Sequence, residues 1–88
     1  KPGPATISYE PKRVVKGNPL NITCSVIDPG RPRIAGYKWL REEHPLTNQE
    51  RAVLNIESAN LRTRTNFTCM AYNEAGDGDP ATTFIDVS

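Results

Sequence analysis

Apolar and polar residues alternate along most of this chain, and the alternation marks short strands rather than helices. In Leu20-Asn21-Ile22-Thr23-Cys24, the residues Leu20, Ile22 and Cys24 share one parity. Tyr37-Lys38-Trp39-Leu40 and Phe67-Thr68-Cys69-Met70-Ala71 repeat the pattern, with Trp39, Phe67 and Cys69 on the core parity. A strand sends alternate side chains to opposite faces, so each run offers one set to a shared core. Further strands are predicted at 6–9, at 52–56 around Leu54, and at 82–87. The first is broken by Pro11 and resumes at 13–15, which suits an edge strand that changes sheets, because proline cannot donate to a ladder. Lys16-Gly17-Asn18-Pro19 reads as a turn, Asp28-Pro29-Gly30-Arg31-Pro32 as a loop, and 74–79 as a hairpin loop.

The register of Cys24, Trp39 and Cys69 resembles the immunoglobulin superfamily over nearly the whole chain. Within it, Ala71-Tyr72-Asn73-Glu74-Ala75-Gly76 is similar to the same run in cell-adhesion and nephrin-like ectodomains. The resemblance implies an all-β fold, a two-sheet antiparallel sandwich of about seven short strands. It implies a Cys24–Cys69 disulfide between the sheets, with Trp39 beside the sulfurs and Leu54 and Phe67 in the core. Intermediate-set domains place two further strands between the positions of Trp39 and Leu54. Here there is room for one, around Pro45-Leu46, so the fourth strand of the first sheet is expected to be short or absent. The family's usual tyrosine two positions before the second cysteine is Phe67. The acidic residue and glycine that precede it are Thr63 and Thr65. The corner hydrogen bond of that tyrosine is lost, and about 1 kcal/mol of net stabilisation with it.

At 88 residues the chain holds one domain, assigned to 5–88, with 1–4 as a linker. A domain this small buries only about 60% of its extended surface. A Cys24–Cys69 disulfide, with a sequence separation of 45, would add about 4 kcal/mol, and an oxidising compartment is its natural setting. The sequence is expected to be one module of a larger, membrane-anchored protein at the cell surface. No apolar stretch is long enough to span a bilayer, so no direct membrane insertion by this domain is expected. A formal charge of +1 argues against nucleic acid as a partner.

Candidate chemistry is sparse. His44 reads as a solvated loop histidine, with no nucleophile or carboxylate placed beside it by spacing. Asp77-Gly78-Asp79 reads as a turn, since calcium wants six or more oxygens. Zinc would need more cysteine and histidine ligands than are free. No catalytic residue, metal site or cofactor is assigned. Arg31, Arg33, Lys38 and Arg41 cluster in sequence, and read as a solvated face in preference to a site for sulfated or phosphorylated partners.

Two triplets, Asn21-Ile22-Thr23 and Asn66-Phe67-Thr68, satisfy the acceptor pattern for N-glycosylation. Ile22 and Phe67 are on the core parity, so Asn21 and Asn66 point outward. On the sheet of the Trp39 strand the outward set includes Lys38, Leu40, Met70, Tyr72 and Phe84. The four apolar members are expected to form one exposed patch, with Tyr72 and Phe84 as anchors and Lys38 on its rim. The reading is therefore an extracellular recognition module of an adhesion protein or receptor. Its partner is a protein, the same or another cell-surface molecule, with neighbouring domains of the parent chain as further contacts. The rivals are a structural spacer in a tandem array and an intracellular scaffold domain with reduced cysteines.

Overall fold

The computed structural model describes residues 1–88. The alternation becomes strands where expected. In β2 (Leu20–Val26), Leu20, Ile22 and Cys24 are buried while Asn21 and Ser25 are exposed. In β6 (Asn66–Asn73), Phe67, Cys69, Ala71 and Asn73 turn inward without a break. The remaining strands are β1 (Ala5–Glu10), β3 (Gly36–Arg41), β4 (His44–Pro45), β5 (Val53–Ile56), β7 (Gly76–Asp77) and β8 (Ala81–Phe84).

One sheet has three strands in the order β1-β2-β5; the other runs β4-β3-β6-β7, with β8 also on β6. Every ladder is antiparallel. The first sheet stops at β5, so its fourth strand is absent, as the short interval after Trp39 implies. Between the sheets a Cys24–Cys69 disulfide joins β2 to β6 at a Cα separation of 6.1 Å. Trp39, Leu54 and Phe67 are buried around it, together with Leu20, Ile22 and Ile85. The indole of Trp39 donates to the Arg51 carbonyl at 2.8 Å. Its one polar atom is thereby satisfied inside the core.

Four local features depart from the expected strand map. The last strand, expected at 82–87 after a hairpin loop at 74–79, starts earlier and ends at Phe84: the turn is only Glu74-Ala75, and Gly76-Asp77 already pairs. β6 pairs Tyr72 with Asp77 but Cys69 with Ala81, so the second strand gains one residue between these pairs. The extra residue is a bulge around Gly78-Asp79-Pro80, where proline offers no donor and the Asp79 carbonyl accepts from Ala5 N at 3.0 Å. β7 and β8 are thus one strand in two pieces, and the count of about seven stands. Second, β4 begins at His44 rather than Pro45, placing His44 at a strand start. It returns from β3 through Glu42 and Glu43 at φ of 51° and 70°. A two-residue hairpin connection favours such positive φ values, which cost a non-glycine residue strain.

Third, the crossing from β5 to β6 contains a 3-10 turn at Leu61–Thr63. Asn60 caps it, accepting from Arg62 N at 2.8 Å, while Asn60 N donates to the Thr63 hydroxyl at 3.2 Å. Thr65 is buried just beyond, and its carbonyl accepts from Ile85 N at 3.0 Å. The corner that lacks a tyrosine is held by Asn60, Thr63 and Thr65 instead. Fourth, residues 13–15 form no regular strand, although Val14 is buried. Its carbonyl accepts from Ser88 N at 3.0 Å, and Lys16 N donates to Ser88 O at 2.8 Å. The segment after Pro11 therefore lies against the end of the opposite sheet.

The chain is elongated, 40 × 22 × 17 Å. At one pole Pro2 is buried and Gly3 N donates to Asp28 O at 2.8 Å, so residues 1–4 lie on the sandwich. The other pole carries Ser88, the 15–18 turn and the 3-10 turn.

Candidate binding face

The outer surface of the five-stranded sheet carries Lys38, Leu40, Met70, Tyr72 and Phe84, as parity requires. Leu40, Thr68, Met70 and Tyr72 are half-buried; Lys38, Thr82 and Phe84 are exposed. Register then divides them. Tyr72 pairs with Gly36 and Asp77, whereas Phe84 pairs with Asn66 at the far end of the same strand. Six residues of strand separate those two positions, about 20 Å. Thr68 and Thr82 stand between them, their hydroxyls 2.8 Å apart. The single patch expected from Leu40, Met70, Tyr72 and Phe84 is thus two patches, because parity fixes a face but not a position along it.

The first patch is an open cleft of about 550 Å³ with Leu40, Pro45, Leu46, Met70 and Tyr72 in its wall. Tyr72 is fixed from three sides. Its ring lies on Gly36, where an added Cβ would stand 2.8 Å from the phenolic oxygen and 3.0 Å from ring carbons. A strand glycine here is what lets the ring lie flat on the sheet. The hydroxyl donates to Glu50 Oε1 at 2.7 Å. That bond holds the phenolic proton and raises the pKa above 10.0, helped by partial desolvation and by the charges of Glu50 and Asp77. Lys38 Nζ sits 5.3 Å from the ring centroid and 2.9 Å from Asp77 Oδ1. Expected on the rim, Lys38 instead covers the tyrosine. The ion pair is half-exposed and adds little stability. Its effect is to hold a cation on the ring face.

The second patch is Phe84 alone, 50% exposed, beside exposed Asn66. A polar cleft of about 470 Å³ adjoins it, lined by Glu42, Glu43, Thr65, Asn66, Thr68 and Thr82. Asn21 is exposed on the other sheet, opposite Glu10 and Asn55. The four basic residues do not gather. Lys38 and Arg41 have opposite parity on β3, and Arg31 and Arg33 are on the loop before it. Nor do Asp77 and Asp79 converge, since the Asp77 carboxylate is taken by Lys38.

The sandwich, its disulfide and its buried tryptophan coincide with a family match: the sequence model of the immunoglobulin domain covers residues 3–87. The chain is an immunoglobulin domain. It is 29% identical over 82 residues to "Tyrosine-protein kinase receptor TYRO3" of Xenopus tropicalis, covering 91% of this chain and 9% of that protein. It is 31% identical over 75 residues to human Hemicentin-1, covering 77% of this chain and 1% of that protein. The immunoglobulin domain therefore spans a tenth or less of these relatives. Among solved structures, the N-terminal four Ig domains of Dscam1 isoform 7.44 align with TM-score 0.75 at 22% identity, over 97% of this chain and 21% of that one. Murine CEACAM1b aligns with TM-score 0.74 at 14% identity, over 99% and 45%. At those identities the structures speak to the fold alone.

Gly36 and Glu50 belong to the Tyr72 cluster of this immunoglobulin domain and were not singled out from the sequence. Gly36 carried a usable signal, since a glycine at the start of an aromatic-rich strand marks close approach. Glu50 carried none, because it is 22 residues from Tyr72 in a loop.

Proposed function

We propose that this immunoglobulin domain is an extracellular recognition module of an adhesion protein or receptor, and that it binds a protein partner through the Tyr72 end of the five-stranded sheet. The observation that carries this reading is the anchored tyrosine. An aromatic side chain already fixed by Gly36, Glu50 and Lys38 loses little freedom on binding, beside an apolar cleft able to take a partner's side chain. One relative is a receptor by name, which supports the placement at a cell surface. The disulfide supports an oxidising compartment. In that setting Asn21 and Asn66 are glycan acceptors. No catalytic role is assigned.

Beads coated with the glycosylated chain test this reading, presented to one another and to a panel of secreted ectodomains. Met70→Lys and Leu40→Glu place charge in the cleft wall without touching the core. A partner found with the parent should be lost with both. A partner retained by both variants refutes the site.

A different observation supports neighbouring domains as further contacts. Ile27 is 96% exposed near the N-terminal pole, and Leu61 is 77% exposed near the C-terminal pole. In a tandem array these are the surfaces that adjoining domains cover. Small-angle scattering of the tandem protein should then report a less rigid rod for Leu61→Asp, with the unfolding midpoint of the isolated domain unchanged. An unchanged scattering curve removes this contact.

A further inference from the structure

We infer that Phe84 is a platform for the first sugar of a glycan on Asn66, and that this end of the sheet is closed to protein partners. The inference rests on the proposed extracellular setting and on the Asn66-Phe67-Thr68 acceptor triplet. Its own observation is register: Asn66 and Phe84 are direct cross-strand partners on the outer face. Directly opposed residues have Cβ atoms about 5 Å apart, so a sugar attached to the Asn66 amide starts beside the ring. Phe84 is 50% exposed, so half of its surface remains open to a sugar on its neighbour.

The chemistries match. The axial C–H face of a β-linked N-acetylglucosamine is apolar and slightly positive, and it meets the negative face of an aromatic ring favourably. The hydroxyls and acetamido group of the sugar need polar company. The cleft of about 470 Å³ beside Asn66 offers it in Glu42, Glu43, Thr65, Thr68 and Thr82. Attachment uses a lipid-diphosphate-linked oligosaccharide as donor. The Asn66 amide nitrogen bonds the anomeric carbon, the bond from that carbon to the diphosphate oxygen breaks, and the amide loses one proton. Asn21 has no such platform: its cross-strand partners are Glu10 and Asn55, both polar. The two acceptor sites therefore differ in what their sugars touch.

The test uses the full chain with Asn21→Gln, secreted by a eukaryotic cell and trimmed to one N-acetylglucosamine. The same chain made in a bacterial periplasm is the sugar-free reference. The sugar should raise Tm by about 4 °C, and by nothing measurable in Phe84→Ser. In the parent, the ring should shift the axial sugar protons upfield and show proton–proton contacts to them. The same Tm rise with and without Phe84, or sugar protons at solution shifts, overturns the platform and leaves the extracellular reading standing. An Asn66 carrying no sugar overturns the platform and the glycan assignment together. If Phe84→Ser does not fold, the proton contacts in the parent decide.

Discussion

Two aromatic residues stand on the outer face of one sheet, on strands that pair directly, and their surroundings give them different work. Tyr72 is half-buried, seated on a glycine, hydrogen-bonded to Glu50 and covered by Lys38. Phe84, near the opposite end, is half-exposed with a free asparagine as its partner and polar groups around it. Alternation alone makes the two equivalent. The difference lies in what each meets across the ladder: a glycine that admits the ring, or an asparagine that leaves it uncovered. The roles proposed for Tyr72 as an interface residue and for Phe84 as a glycan platform rest on that difference in cross-strand neighbour.

The largest effect that can break this comparison comes from Gly36. Gly36→Val puts side-chain atoms where the Tyr72 ring lies, so the ring should swing out and lose Glu50. Affinity for a partner at that end should fall about thirty-fold by titration, as if the anchor had been removed. Undiminished binding would show that the pinned geometry is irrelevant.

At the Phe84 end the expected effect is opposite in sign. Glu42 and Glu43 hold positive φ next to the polar cleft. Glu42→Asn with Glu43→Gly matches the residues that this hairpin geometry favours. Denaturant unfolding should gain about 1 kcal/mol, with no change in partner affinity. A loss of stability would mean that the turn is not strained.

Smaller effects separate the two ends by pH. Tyr72 is raised above 10.0, first by its bond to Glu50. A raised folded-state pKa means that this contribution is present in full below pH 10.0 and is lost as pH climbs through the folded value. The parent should therefore lose more stability in alkali than Tyr72→Phe does. Beyond Phe84, Asp86 is held below 3.8, chiefly by the bond from Arg64 Nε at 2.7 Å. Its contribution is present above pH 3.8 and is lost as pH falls through the lower folded value, so Asp86→Asn should flatten the acid side alone. Melting curves across pH check both, and identical profiles for variant and parent would remove the corresponding bond from the account.

Strands and core were legible because period-two alternation is strong in Leu20 to Cys24 and in Phe67 to Ala71. The missing fourth strand was legible too, from the short interval between Trp39 and Leu54. Register was not. Parity places Leu40, Met70, Tyr72 and Phe84 on one face, yet sliding one strand along another by two residues leaves every parity intact. The bulge at Gly78-Asp79-Pro80 shifts the ladder by one residue, and no local pattern announces where it falls. The cap at Asn60 could have been read from Asn60 and Thr63. It answers directly the question raised by Phe67, namely what holds the corner once tyrosine is gone.

The central claim is that one end of this face recognises a protein and the other carries a sugar. The most direct measurement is the affinity of the glycosylated chain for its partner, taken in parallel for the parent, Tyr72→Ala and Phe84→Ser. The account predicts a loss of about thirty-fold for Tyr72→Ala and less than about two-fold for Phe84→Ser, with both variants folded. Equal losses would restore the single patch, and a larger loss for Phe84→Ser would contradict the account outright.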